Sequence, residues 1–133
     1  MKIGFIGAGR AGVSLGNYFK ASGLEVAGYF SKNYPAASAF NFKKYKDIAS
    51  LASSADLIFI ATPDDQIPPV WAELKKQPLK GKIICHLSGA KTSAIFKGIE
   101  KTGAAGFSTH PLFVFNNYKT PLKKVYFTVE GNG

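Results

Sequence analysis

The sequence predicts an α/β fold, a doubly wound and mostly parallel sheet with helices on both faces, and three observations point to it. Apolar runs rich in β-branched residues alternate with stretches of helical spacing, as successive βαβ units require. Most of these runs are apolar nearly throughout, the pattern of strands covered on both sides. The turn after the first run, Gly7-Ala8-Gly9-Arg10-Ala11-Gly12, places three glycines between a strand and a helix.

The runs give strands at 2–6, 25–30, 56–61, 82–87, 105–109 and 125–129, the last read as stopping at Glu130-Gly131-Asn132-Gly133. Between them, Ala11, Gly12, Leu15, Gly16 and Phe19 share one side of a helix over 10–22, with Asn17 and Lys20 on the other and Gly23 ending it. Prolines tolerated in a first turn open a helix over 68–77, with Val70, Trp71 and Leu74 as its apolar side. Thr92 caps a third helix, read through about Lys101. Residues 33–51 read as a short helix, a short strand near Phe42 and another helical turn.

A chain of 133 residues suits one domain, taken as 1–133, since domains commonly hold about 100–200 residues. With 46% hydrophobic and 19% charged residues it has the composition of a soluble globular protein. No apolar run approaches the roughly 18–20 residues that span a bilayer, and no signal-peptide layout opens the chain. Together with a single cysteine, Cys85, read as a buried strand residue, this suggests a cytoplasmic protein without a membrane partner. Cys85 and His86 are adjacent on a strand and point to opposite faces, so two histidines and one cysteine make no metal set. The net charge of +9 attracts anions. Its lysines are scattered (Lys43, Lys44, Lys46, Lys75, Lys76, Lys119, Lys123, Lys124), and no nucleic-acid-binding motif accompanies them, so a solvated basic surface is expected rather than a nucleic-acid partner.

The glycine spacing has a mechanism. Gly7 permits the tight turn, Gly9 lets backbone approach a pyrophosphate, and Gly12 lets the helix pack close to the strand, with Gly16 extending that edge. The helix N-terminus supplies free amides and partial positive charge, so Gly7, Ala8, Gly9, Arg10, Ala11 and Gly12 are expected to hold a dinucleotide. NAD-specific sites usually carry an acid at the end of the second strand for the ribose hydroxyls. Here Tyr29-Phe30-Ser31-Lys32-Asn33 has none, and Glu25 is at the wrong end. Ser31 and Lys32, with Arg10, suit a 2′-phosphate, which favours NADP.

Ligands of open α/β sheets bind beyond the carboxyl ends of the strands. Thr62, Pro63 and Asp64 follow the third strand as cofactor-contact candidates, with Asp64 or Asp65 equally able to cap the next helix. Ser88 follows the fourth strand, and His110, at the exit of the fifth and held extended by Pro111, is the better placed acid or base. His86, one step inside its strand, reads as a hydrogen-bonded core histidine.

Taken together, Gly7 to Gly12, Ser31-Lys32, Thr62-Pro63-Asp64-Asp65-Gln66-Ile67, His86-Leu87-Ser88-Gly89-Ala90 and Ser108-Thr109-His110-Pro111-Leu112 resemble the N-terminal half of a family of NADP oxidoreductases. In that family a Rossmann-like domain precedes a C-terminal domain of unknown function; it is itself similar to pyrroline-5-carboxylate reductase, the β-hydroxyacid dehydrogenases and prephenate dehydrogenase. The resemblance implies the NADP-binding domain of an enzyme moving hydride between nicotinamide and a small carbonyl or imine compound. By similarity to prephenate dehydrogenases, it implies catalytic roles for His110 and Ser88. The helical second domain of the relatives, which commonly makes the homodimer, is expected to be absent here. The alternative is a non-catalytic dinucleotide-binding sensor or regulatory module.

Overall fold

The computed structural model describes residues 1–32, 41–111 and 127–132. Strand β1 (Lys2–Ile6) runs into the glycine turn and helix α1 (Arg10–Ala21), which leads to β2 (Glu25–Phe30). Helix α2 (Ile48–Ser54), β3 (Leu57–Ile60), a 3₁₀ turn (Asp64–Gln66) and α3 (Ile67–Leu74) follow. The rest comprises β4 (Ile83–His86), two 3₁₀ turns (Ser93–Ile95 and Ile99–Lys101), β5 (Ala105–Pro111) and β6 (Phe127–Asn132). The strands form one sheet in the order β2-β1-β3-β4-β5-β6, parallel except for β6, which is antiparallel to β5. The expected fold class is therefore observed. Strand order reverses at β1, whose neighbours β2 and β3 lie on opposite sides, and that gap is where such sheets bind ligands.

Register brings the carboxyl ends of the parallel strands β1 to β5 to one edge: Ile6 pairs with Phe30 and Ile60, Ile60 with His86, and His86 with Ser108. The sheet is covered on both faces. Against one, Val13 and Leu15 of α1 pack on Phe5, Tyr29 and Phe59; the Phe5 ring stacks on Tyr29 at 4.8 Å and on Phe59 at 5.4 Å. Against the other, Leu51 of α2 and Ile67, Trp71 and Leu74 of α3 cover Ile58, Ile60 and Ile84. Phe5, Leu15 and Leu51 are wholly buried, each contributing roughly 1.5–3 kcal/mol over exposure. Local chemistry sets the helix starts: the Asp47 carboxylate accepts the Ser50 amide at 2.8 Å at the head of α2, while prolines occupy the first turn of α3.

Several elements differ from expectation. The helix read from Thr92 is a pair of 3₁₀ turns, because Gly98 adopts a left-handed φ of +79° between them and Phe96 leaves helical geometry. Thr92 does cap, accepting the Ala94 amide at 3.3 Å. No side chain caps α3 or the 3₁₀ turn before it, so neither Asp64 nor Asp65 has the capping role. The last strand does not stop at Glu130. It continues to Asn132, with Glu130 opposite Ser108 and Gly131 opposite Phe107, where a Cβ on Gly131 would stand 2.7 Å from the Phe107 ring. The strand expected near Phe42 is one bridge between Lys44 and Tyr29. The short helix expected after Asn33, and Leu112 of the fifth motif, lie outside the described residues. No helix among the described residues is long and apolar enough to cross a membrane.

Candidate functional site

The glycine turn is built around positions a side chain could not occupy. Gly7 has φ +104°, and a Cβ there would stand 2.6 Å from the carbonyl oxygen of Ala61, so β1 and β3 close together only because the residue is glycine. The Gly7 amide donates to Phe30 O at 2.8 Å, fixing the turn to β2 as well. Gly12 sits where a Cβ would be 2.9 Å from the Ala61 side chain, so α1 lies tight on β3. Gly9 differs. Its nearest neighbour would be Ala61 O at 3.8 Å, so the missing side chain leaves open space above the turn. The first bond of α1 runs from Val13 N to Gly9 O at 3.0 Å, and no side chain caps the helix, so the amides of Arg10, Ala11 and Gly12 precede its ladder.

Gly16 extends the close-packing edge of α1, here against Tyr29 of β2. Its bare α-carbon makes room for the Tyr29 hydroxyl, which donates to Gly12 O at 2.8 Å inside α1. Burial holds the Tyr29 phenol protonated, pushing its pKa well above the usual value. That bond ties the helix to β2 one turn beyond the glycine loop.

The space above Gly9 is a cavity of about 430 Å³, lined by Gly7, Ala8, Gly9, Ser31, Lys32, Thr62 and Pro63 among the expected residues. Phe30, Gln66 and Val70 also line it, unnoticed in the sequence. The Thr62 hydroxyl is buried with no hydrogen-bond partner among the described residues. A buried polar group left unpaired costs about 1–3 kcal/mol. Arg10 and Lys32 are exposed, and among the described residues neither has a carboxylate partner. Arg10 also stands at the positive end of the α1 dipole, an unfavourable placement that an anion beside it would relieve. Arg10, Ala11, Gly12 and Asp64 do not line the cavity; Asp64 is exposed beside Pro63. The residues thus fit a bound dinucleotide: open main-chain amides for a diphosphate, and cations and no acid at the ribose end.

Further along the same edge, β5 lies three strand spacings from β1, roughly 14 Å at the usual interstrand distance. His110 here brings its ring against Gly89, where a Cβ would be 3.0 Å from both Cε1 and Nε2. Its Nδ1 lies 3.3 Å from Leu87 O, an acceptor only, so Nδ1 carries a proton and Nε2 is the nitrogen left for chemistry. His86 is wholly buried: Nε2 donates to Thr92 O at 3.0 Å and Nδ1 accepts the Ser88 amide at 3.1 Å. It is the satisfied core histidine expected. The Ser88 hydroxyl accepts the Ala90 amide at 3.1 Å, which leaves its proton available to a second acceptor. The turn over 87–93 is anchored further by Ser108, donating to Lys91 O at 3.0 Å, and by the Glu130 carboxylate, which accepts the Ser93 amide and hydroxyl at 2.6 Å each. Those two bonds hold the Glu130 carboxyl below its usual range.

Residues 1–111 match a protein-family model described as a Rossmann-like domain. The chain belongs to this family. The Rossmann-like chain also superposes on solved structures at low identity. A candidate NADP oxidoreductase from Bacteroides fragilis, BF3122, matches over 99% of this chain and 52% of its own, with a TM-score of 0.85 and 16% identity. A pyrroline-5-carboxylate reductase from Coxiella burnetii matches over 98% and 49%, with a TM-score of 0.80 and 17% identity. The Plasmodium falciparum pyrroline carboxylate reductase with NADP bound matches over 99% and 48%, with a TM-score of 0.75 and 18% identity. The chain spans about half the length of these neighbours, which share its fold and are of the oxidoreductase kinds its motifs resemble. No curated protein matches the sequence.

Proposed function

We propose that the chain is the NADP-binding domain of an oxidoreductase that moves hydride between the nicotinamide and a small carbonyl or imine compound. The observation that carries this is the glycine turn at the strand-order reversal: an open Gly9, uncapped α1 amides, and Lys32 and Arg10 in place of the acid that would favour NAD. Solved neighbours of the same fold support it, one holding NADP and a reductive aminase from Aspergillus terreus holding NADPH and ethyl-5-oxohexanoate.

Bound NADPH would supply the hydride. The chain's residues bind and orient. The amides at the start of α1 would hold the diphosphate, Lys32, Ser31 and Arg10 would hold the 2′-phosphate, and Thr62 would line the cofactor's cavity. His110, kept in one orientation by Leu87 O and Gly89, gives the Nε2 proton of its imidazolium to the substrate oxygen or nitrogen and takes it back in the reverse direction. Ser88 orients the substrate. Such a protein works in the cytoplasm, free of membranes and nucleic acid, and dimerises through a helical second domain of the kind its relatives carry.

Titration with NADPH and NADH, repeated on Lys32→Asp, tests the cofactor half. NADPH should bind roughly ten- to a hundredfold tighter, as hydrogen bonds to a charged group are worth about 1.5–3 kcal/mol, and the variant should shift toward NADH. Equal affinities in the parent would remove the 2′-phosphate argument. Hydride transfer to cyclic imines and small ketones by the full-length protein tests the rest; binding without turnover would favour the sensor reading.

A further inference from the structure

A groove runs between α3 and residues 90–102, on the sheet face opposite α1. It joins two concavities, of about 600 and 620 Å³, that share Lys75 and Lys97. Its lower part lies before the starts of β4 and β5, at the far edge of the sheet from the glycine turn, and no residue lines both it and the dinucleotide cavity.

Six exposed lysines border the groove: Lys75, Lys76 and Lys80 on one side and Lys91, Lys97 and Lys101 on the other. Among the described residues only Lys76 has a carboxylate partner, Glu73 at 3.2 Å, a solvent-exposed pair of small value. The upper floor is apolar, with Pro68, Ala72 and Ala94 exposed and Ile95 half-buried. The groove thus offers exposed apolar surface flanked by lysines of which, among the described residues, only Lys76 has a carboxylate partner.

We propose that this groove docks an acidic polypeptide segment of a partner protein, its carboxylates meeting the lysines and its alternate apolar side chains lying on Pro68, Ala72, Ala94 and Ile95. Charge complementarity selects the occupant. A second copy of a chain with net charge +9 would bring like charges together. A nucleic acid would find no stacking platform, because Trp71 is 3% exposed and its indole Nε1 already donates to Lys97 O at 3.0 Å. Two joined concavities are also longer than a single small anion needs. This reading is independent of the cofactor assignment.

The test is a fluorescence-anisotropy titration with a short labelled peptide alternating Glu and Leu, with and without NADPH. Lys75→Gln/Lys97→Gln should weaken binding roughly tenfold or more, whereas Lys43→Gln/Lys46→Gln, beside β2 across the sheet, should change it less than about twofold. NADPH should not compete. Equal loss in the two variants would reduce the effect to net charge and overturn the proposal, as would no peptide binding at about 0.15 M salt. Tighter binding of a random DNA duplex or of tripolyphosphate, sensitive to Lys75 and Lys97, would overturn it in favour of a phosphate ligand.

Discussion

The imidazole of His110 rests on the bare α-carbon of Gly89, close enough that a Cβ there would stand 3.0–3.1 Å from three ring atoms. Gly89→Ala should therefore push the ring off its bond to Leu87 O, while Gly89 lines no part of the dinucleotide cavity. On the role proposed for His110, NADPH affinity should stay within about twofold while turnover of the full-length protein falls roughly ten- to a hundredfold, as misplacement of a reacting group can cost. Nitrogen NMR gives a readout separate from activity: the parent should show His110 protonated on Nδ1, and the variant should lose that tautomer preference.

Gly7 and Gly9 should respond in opposite ways. Gly7→Ala forces a side chain onto φ +104° and into Ala61 O, which should destabilise the fold by at least about 1–3 kcal/mol, read as a lowered Tm. Gly9→Val points into open space, so Tm should hardly move while NADPH binding is lost.

Tyr29 and Gly16 should be coupled. Tyr29→Phe removes one buried hydrogen bond, costing about 0.5–1.5 kcal/mol. Gly16→Ala drives a methyl onto the Tyr29 hydroxyl and should cost about 1–3 kcal/mol, less in the Tyr29→Phe background where that oxygen is gone. Additive losses in urea melts would contradict the packing described.

Cys85 should be inert. Burial pushes its thiol up from 9.0 to about 12, so the thiolate is scarce near neutral pH. Native protein at about pH 8 should resist thiol-specific reagents and react once unfolded; fast labelling of the folded chain would contradict the burial.

Acid should release three carboxylates together. Hydrogen bonds from Ser50, Lys2 and Ser93 lower the pKa values of Asp47, Asp56 and Glu130 from ordinary values of 3.8, 3.8 and 4.5. Because the folded pKa values are the lower ones, the stabilisation is full above those ordinary values and is lost as pH falls below about 4. Glu130→Gln should flatten part of the acid limb of a stability-versus-pH curve.

The glycine turn was legible because its chemistry is local: Gly7, Gly9 and Gly12 are demanded by backbone geometry within one βα unit. The strands were legible because both their faces are covered, which leaves continuous apolar runs. What failed was tertiary. Ile95, Phe96 and Ile99 are spaced like a helix face, yet the left-handed backbone at Gly98 divides them into two turns that bury the same side chains. Gly131 read as a stop, but it is a strand residue kept small by Phe107 across the pair. His110 and Gly89 lie on different strand ends, and nothing in their spacing announces that one is the seat of the other.

The turn over 87–93 receives side-chain bonds from three neighbouring strands: His86 of β4, Ser108 and His110 of β5, and Glu130 of β6. The loss of chain freedom needed to set Ser88 and Gly89 in place is thus met when the protein folds, not when a substrate arrives. A substrate can meet a rigid wall at this end of the sheet, and its discrimination there would come from shape and polarity instead of from loop closure.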